Sequence, residues 1–464
     1  MRRPRAGLLT LYIPFYESII AVGGEKLLLA ADLERRLLEI CEVVSPGLVG
    51  TEDAARDAAE LFHARQVDAL VVVPMVAVFG ALGWAAVREL DVPVCIWNLQ
   101  PTPGIPDDYD IRQLIRNSGG LGVQALANTI ARAERPYEIV FSTNDDPLPI
   151  QLGRFLEAAA VTNDLKRARF GRIGSVFAQM TDVLMDIASW PGEPVVEILA
   201  SDLQERYLRQ TREAVSQRVA DIRERHPVFE ISDDELARSA RIWLAVDEIV
   251  QECNLVGGAF NCHGENCLRN PEIGVTGCYA VSAQTSQGHP FSCTGDLPTA
   301  IAMWMLDSLA GSVIYAELDL VDPGANCVLL ANGGEGHFTA AEGPVSITGN
   351  ENFVGLHGRG ASLRFTPVAG KATLASFSPI DASRRYRLVV AEGEMFRRCL
   401  PALGVFHTAF RFHGLSAPEA FQSWCKAGAV HHVAVAPGEW AGALQMIADM
   451  SGFEFVNVRG TKET

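Results

Sequence analysis

Three stretches of this chain gather more carboxylates, imidazoles and hydroxyls than a packed core needs. The first runs from His289 through Ser292, Thr294, Asp296 and Thr299 into an apolar helix that reaches Met305. The second joins Tyr315, Glu317 and Asp319 to Asn332, Gly333, Gly334, Glu335, Gly336 and His337. The third follows Trp424 and holds the adjacent imidazoles of His431 and His432. Carboxylates and imidazoles move protons near neutral pH and also ligate divalent ions, so these stretches point to acid–base chemistry, with or without a metal. Glu335, His337 and His357 sit in glycine-rich turns, where bare backbone can approach a ligand closely. Arg359, between Gly358 and Gly360, offers a partner to an anionic substrate group. Asp296 stands where a short acceptor caps the helix that follows it. Cys262 and Cys267 flank His263 in a Cys-x4-Cys knuckle, but no second half exists to complete a zinc site, and buried thiols are the better reading.

The elements that must carry these groups follow from hydrophobic period. Strand-like runs at Leu8–Ile13, Val67–Val73, Val92–Asn98 and Glu138–Ser142 alternate with helical patterns. Among these, Glu25–Cys41 places Leu29, Leu33, Leu37 and Ile40 on one face. That rhythm predicts βαβ units and a parallel sheet over 1–166. No Gly-x-Gly-x-x-Gly follows the first strand, so a dinucleotide site has no support. A second α/β segment, 167–312, holds strands near Arg172–Val176, Val195–Leu199 and Leu255–Asn261. It also holds one long charged helix around Leu203–Glu224, and another opened by a capping box at Ser232. Beyond residue 313 glycines become dense. Short β-rich pieces at Ser362–Phe365, Thr373–Phe377 and Arg385–Ala391 predict an antiparallel barrel or sandwich, closed by a helix at Glu439–Met450 and a strand at Glu454–Val458. The expected fold class is thus two Rossmann-like parallel-sheet domains followed by a β-rich, barrel-like domain, 313–464, that carries the site.

Composition narrows the function classes. The 464 residues carry a net charge of −17, which disfavours an extended phosphate-binding surface and hence a nucleic-acid partner. No apolar run reaches the roughly 18 residues of a membrane span, so no membrane partner is expected. The basic start, Arg2-Arg3-Pro4-Arg5, lacks the apolar core and small-residue site of a signal peptide. With ten cysteines in so long a chain, reduced thiols and a cytoplasmic location are the expectation.

At the polar stretches the sequence resembles the L-arabinose isomerase/L-fucose isomerase superfamily. The family segment Glu-Gly-Asp-x-x-Thr-Ala corresponds to Thr294-Gly295-Asp296-Leu297-Pro298-Thr299-Ala300, its next Glu to Glu317, and its Gly-Gly-Ala-His-His-Thr motif to Ala427–Val433. The resemblance implies a three-domain architecture, a homo-oligomer (trimer or hexamer), and an aldose–ketose isomerase working through an ene-diol. Its cofactor would be a divalent metal, Mn2+ or similar, between two carboxylates and two histidines. Glu317 and His432 stand at two of those ligand positions, whereas Thr294 and Asn332 replace the other two. A rearranged site would draw its acid–base groups from Glu317 and Glu335 and its metal ligands from Glu317, His432, His337 and His357. Thr294, Asn332, Arg359 and His431 would line the substrate pocket. The alternatives are a metal-independent epimerase or lyase on the same fold, and a non-catalytic sugar-binding protein.

Overall fold

The structure, a computed structural model, describes residues 2–177, 179–263, 266–350, 360–380, 385–398, 400, 403 and 405–460. The chain divides into two compact units: Met1–Asp164 with Asp449–Ser451, and Leu165–Ala448 with Gly452–Thr464.

The first unit is built on a parallel sheet. Its strands are β1 (Arg5–Leu11), β2 (Glu42–Val44), β3 (Leu48–Val49), β4 (Ala69–Pro74), β5 (Val94–Gln100) and β6 (Glu138–Thr143). The spatial order is β2-β1-β4-β5-β6, with the short β3 also beside β1. Every residue of β4 is buried, as expected for a parallel strand covered on both faces. The helix expected over Glu25–Cys41 forms at Gly23–Leu37 and turns Leu33 and Leu37 fully inward. Thr51 caps the next helix, Glu52–Ala64, by accepting from the Ala54 amide.

In the second unit the parallel sheet comprises β7 (Phe170–Ile173), β8 (Val196–Ile198), β10 (Gly257–Phe260) and β11 (Phe291–Cys293), in the order β11-β10-β7-β8. The two-residue β9 (Val228–Phe229) lies outside it. The single charged helix expected at Leu203–Glu224 is instead two helices, Ala200–Arg209 and Arg212–Arg225. The break falls at Gln210–Thr211, both extended, where the Thr211 hydroxyl accepts from the Ala214 amide and starts a new helix. The capping box at Ser232 forms as expected, with the Glu235 carboxylate accepting from the Ser232 amide.

The β-rich segment begins with β12 (Ile314–Asp322) and β13 (Cys327–Ala331). A small sheet of β14 (Ser346–Gly349) and β15 (Ala361–Arg364) then pairs with β9. The Ser362–Phe365 run therefore belongs to this side sheet and not to the barrel. The chain continues through β16 (Gly370–Pro379), β17 (Tyr386–Phe396), β18 (His407–Phe412), β19 (His432–Pro437) and β20 (Glu454–Asn457). Strands β16-β19-β12-β13-β18-β17 run antiparallel to their neighbours, and a β17–β16 pairing closes them into a six-stranded barrel, with β20 parallel on β17. Apolar side chains such as Ile314, Val328, Leu374, Val389, Phe410 and Val433 make its core. Each contributes about 1.5–3 kcal/mol when fully buried. The parallel-sheet domains and the C-terminal barrel are the fold class expected from the sequence.

One helix ties the sheet to the barrel. Leu297–Ala310 is buried along nearly its whole length and packs against β10, β16 and β19. Among the described residues no helix is long and apolar enough to cross a membrane.

Candidate functional site

The site grows from barrel register. Strands β12 and β19 are antiparallel with Glu317 directly opposite His432, and directly opposed residues share a face. His432 Nε2 lies 3.5 Å from Glu317 Oε1, a charge contact too long for a good hydrogen bond. On its other side, His432 Nδ1–H donates to Asp296 Oδ2 at 2.7 Å, with both side chains fully buried. An ionised carboxylate only accepts, so this bond places a proton on Nδ1.

Asp296 does two jobs. Its Oδ1 accepts from the Thr299 amide at 3.0 Å and caps the buried helix, as the sequence suggested. Its Oδ2 fixes the His432 ring, a role the sequence did not disclose. The turn leading to it is tight: Thr294 and Gly295 both have positive φ, +54° and +77°. Burial alone would lower His432, but the Asp296 and Glu317 carboxylates outweigh it and raise the imidazole to about 9. The Tyr315 ring lies 4.9 Å from the imidazole.

A second carboxyl enters from the loop after β13. Asn332 organises that loop: its amide donates to the carbonyls of Tyr315 and Glu335, and its oxygen accepts from the Gly334 amide at 2.8 Å. Gly334 has φ +111°, and a Cβ there would come within 2.5 Å of Ser362 Cβ, so the loop admits only glycine. The loop carries Glu335 inward to 4% exposure. One carboxyl oxygen accepts from Cys278 Sγ at 3.8 Å, and burial pushes the group above the usual carboxylate range.

Glu317, Glu335, Thr294 and Tyr315 line one cleft together with Cys262, Cys278 and Cys293. Among the described residues, Thr294 Oγ1, the Tyr315 hydroxyl and Glu335 Oε2 are buried there without a hydrogen-bond partner, and His432 Nε2 is in the same state beside Glu317. Buried polar atoms are nearly always paired. Their concentration around a single cleft is the signature of a surface made for a polar ligand.

The remaining expected residues lie elsewhere. His337 is buried, but its Nδ1 accepts from the Thr339 amide (3.2 Å) and hydroxyl (2.9 Å), capping the turn Phe338–Ala340, and it does not line the cleft. Asn332 is spent on the loop. His431 faces outward, where its Nδ1 and amide meet Asp182, while its ring rests on that of His432. His357 and Arg359 lie outside the described residues, as do Gly264 and Glu265 of the cysteine knuckle. The sequence reading missed Tyr315, Cys278 and Cys293 as cleft residues and Asp296 as the anchor of His432. A histidine and a distant aspartate, both in apolar surroundings, were the available signal.

The donor set can be tested against a divalent ion. Glu317 and His432 Nε2, with Asp296 behind the ring, reproduce the carboxylate–histidine support common at metal sites. Among the described residues, however, no three His, Cys, Asp or Glu side chains are grouped to hold an ion. Two donors make half a cage.

Residues 317–454 match the family model of the L-arabinose isomerase C-terminal domain. A sulfoquinovose isomerase from Alkalicoccus urumqiensis is 25% identical over 348 residues, covering 70% of this chain and 72% of that protein. Among solved structures, an ABC transporter solute-binding protein from Burkholderia multivorans aligns over 59% of this chain and 86% of its own. At 12% identity and a TM-score of 0.17, that likeness bears on neither fold nor function. The family-model match spans the barrel segment that carries Glu317 and His432, and both matches support the resemblance to the arabinose/fucose isomerase-like superfamily.

Proposed function

We propose that the protein is a sugar isomerase that interconverts an aldose and a ketose by proton transfer between C1 and C2. The observation that carries this reading is the cleft where two carboxyls of unlike environment, Glu317 and Glu335, meet several unpartnered buried polar atoms. Two carboxyls in unlike surroundings divide into an acid and a base. Glu335, which burial biases toward its protonated form, gives a proton to O1 of the sugar carbonyl and regains one from the O2 hydroxyl. Glu317, a quarter exposed at its side chain, takes the proton from C2 and returns it to C1. His432, fixed by Asp296, holds Glu317 in place and balances its charge. Tyr315 and Thr294 hydroxyls orient the substrate hydroxyls. The isomerase matches support a sugar isomerase in general terms, and the substrate we propose is a small sugar or sugar derivative, a 6-sulfonated hexose included.

A divalent ion, Mn2+ or similar, would polarise the carbonyl if bound at Glu317 and His432, but the steps above need only the chain's own groups. Thr294 and Asn332 at two family ligand positions favour a second reading, a metal-independent epimerase or lyase using the same base. We further propose a cytoplasmic homo-oligomer, supported by exposed apolar side chains of the first unit such as Leu28, Phe79 and Ile105.

The test is solvent exchange. Aldoses and ketoses of four to six carbons, sulfoquinovose and sugar acids are incubated in D2O with and without Mn2+, and deuterium at C1 and C2 is followed by NMR. The expectation is exchange with interconversion for one substrate, lost in Glu317→Gln. Binding without exchange for every sugar refutes an enzyme and leaves a sugar-binding protein.

A further inference from the structure

We propose that Cys262 and Cys293 are an oxidisable dithiol in the wall of the cleft, with a small hydroperoxide as its co-reactant. Both side chains line the cleft, and both are free thiols. Cys293 ends β11 and lies opposite Phe260 of the parallel β10, and Cys262 follows β10 by two residues. This pairing sets the two thiols in one wall of the cleft, where each shifts the other's acidity. Their surroundings differ from those of inert core cysteines. Cys293 shares the cleft wall with Glu335, and the neighbouring Cys278 receives a bond from Asn350 Nδ2 at 3.4 Å. The neighbouring Cys293 thiol pulls Cys262 down against the push of burial, which supports Cys262 as the attacking sulfur.

The chemistry balances with the peroxide alone. The Cys262 thiolate attacks one peroxide oxygen, the O–O bond breaks, and the leaving oxygen departs as water (as an alcohol from an organic hydroperoxide). The resulting sulfenic acid is displaced by the Cys293 sulfur, an S–S bond forms, and a second water leaves with the remaining proton. Two thiols lose two electrons, which reduce one peroxide. A thiol reductant reverses the change. In the disulfide, Cys293 has lost its S–H, so oxidation alters the cleft wall that it shares with the buried Glu335 carboxyl. The reaction is independent of whether the cleft turns over a sugar.

The experiment treats the reduced full-length chain with hydrogen peroxide, traps remaining thiols with iodoacetamide, and maps peptides without reduction. The expected product joins the peptides of Cys262 and Cys293, lighter by two hydrogens, and dithiothreitol restores both alkylated thiols. Cys293→Ser should abolish the cross-link and let Cys262 advance to sulfinic acid. The proposal is overturned if both thiols stay alkylatable while exposed Cys425 oxidises. It also fails if the cross-link joins Cys262 to Cys267 or Cys278. The wild-type map decides these outcomes even if the serine variant does not fold.

Discussion

Asp296→Asn isolates the bond that holds the site together. The amide retains an oxygen for the Thr299 amide, so the helix keeps its cap, but the group facing His432 Nδ1 becomes a donor or a neutral acceptor. In the wild-type protein the imidazole is raised from its ordinary 6.5 to about 9. At roughly 1.4 kcal/mol per factor of ten, this corresponds to about 3 kcal/mol favouring the protonated, folded state. Both partners are fully buried, so solvent does not screen the term, and the nearer Asp296 supplies the larger share. The sign follows from linkage. A group raised on folding contributes fully below pH 6.5, and its contribution is lost as pH rises through 9. The wild-type protein should therefore lose about 3 kcal/mol from this imidazole between pH 6 and 9.5, and Asp296→Asn should flatten most of that slope, costing about 2 kcal/mol at pH 6 and little at pH 9.5. Urea unfolding followed by circular dichroism at several pH values, with EDTA throughout, measures it. A variant equally destabilised at every pH would refute the charge pair and leave Asp296 as a cap alone.

Three further outcomes follow from the same geometry. Glu335→Gln replaces a carboxyl raised by burial with a neutral amide of its shape, so it should leave the folded state intact or firmer above pH 4.5, where ionisation otherwise costs stability, while slowing C1–C2 exchange about 10²-fold or more; urea midpoints and the D2O assay measure the two effects. Extensive dialysis should strip any divalent ion, because Glu317 and His432 are only two donors; stoichiometric manganese in elemental analysis afterwards would contradict this. Gly334→Ala should cost about 1–3 kcal/mol, since φ +111° and the 2.5 Å approach to Ser362 both resist a Cβ, and its cleft should show altered ligand affinity through a displaced Glu335. A melting temperature unchanged from wild type would sink that account of the loop.

How much of this was legible depends on where each signal resides. Strand alternation and glycine density revealed the parallel sheets and the barrel, because side-chain period is a local property of the chain. The break at Thr211 escaped notice because no glycine or proline marks it; the only sign is a hydroxyl placed to cap the next helix. Glu317 and His432 were legible through short motifs. That they face each other depends on the register of β12 and β19, set by strands more than a hundred residues apart. Asn332 and His337 show the converse limit. Their residue types suit a metal or a sugar, yet the loops they occupy consume their hydrogen-bonding atoms at two- and three-residue range. Sequence cannot distinguish a spent amide from a free one, because the difference lies in backbone dihedrals. The cysteine lining was hidden for a third reason. Cys262, Cys278 and Cys293 come from a strand end, a helix start and a neighbouring strand end, and only the parallel β10–β11 pairing makes one wall of them. The same pairing delivers Thr294 to the cleft through a left-handed turn, two residues before Asp296 begins the helix. A residue at that point can reach the ligand whatever its chemistry. In the proposed mechanism, threonine at the point where the resembled family carries a carboxylate removes a charge from the pocket, which leaves the acid–base work to Glu317 and Glu335.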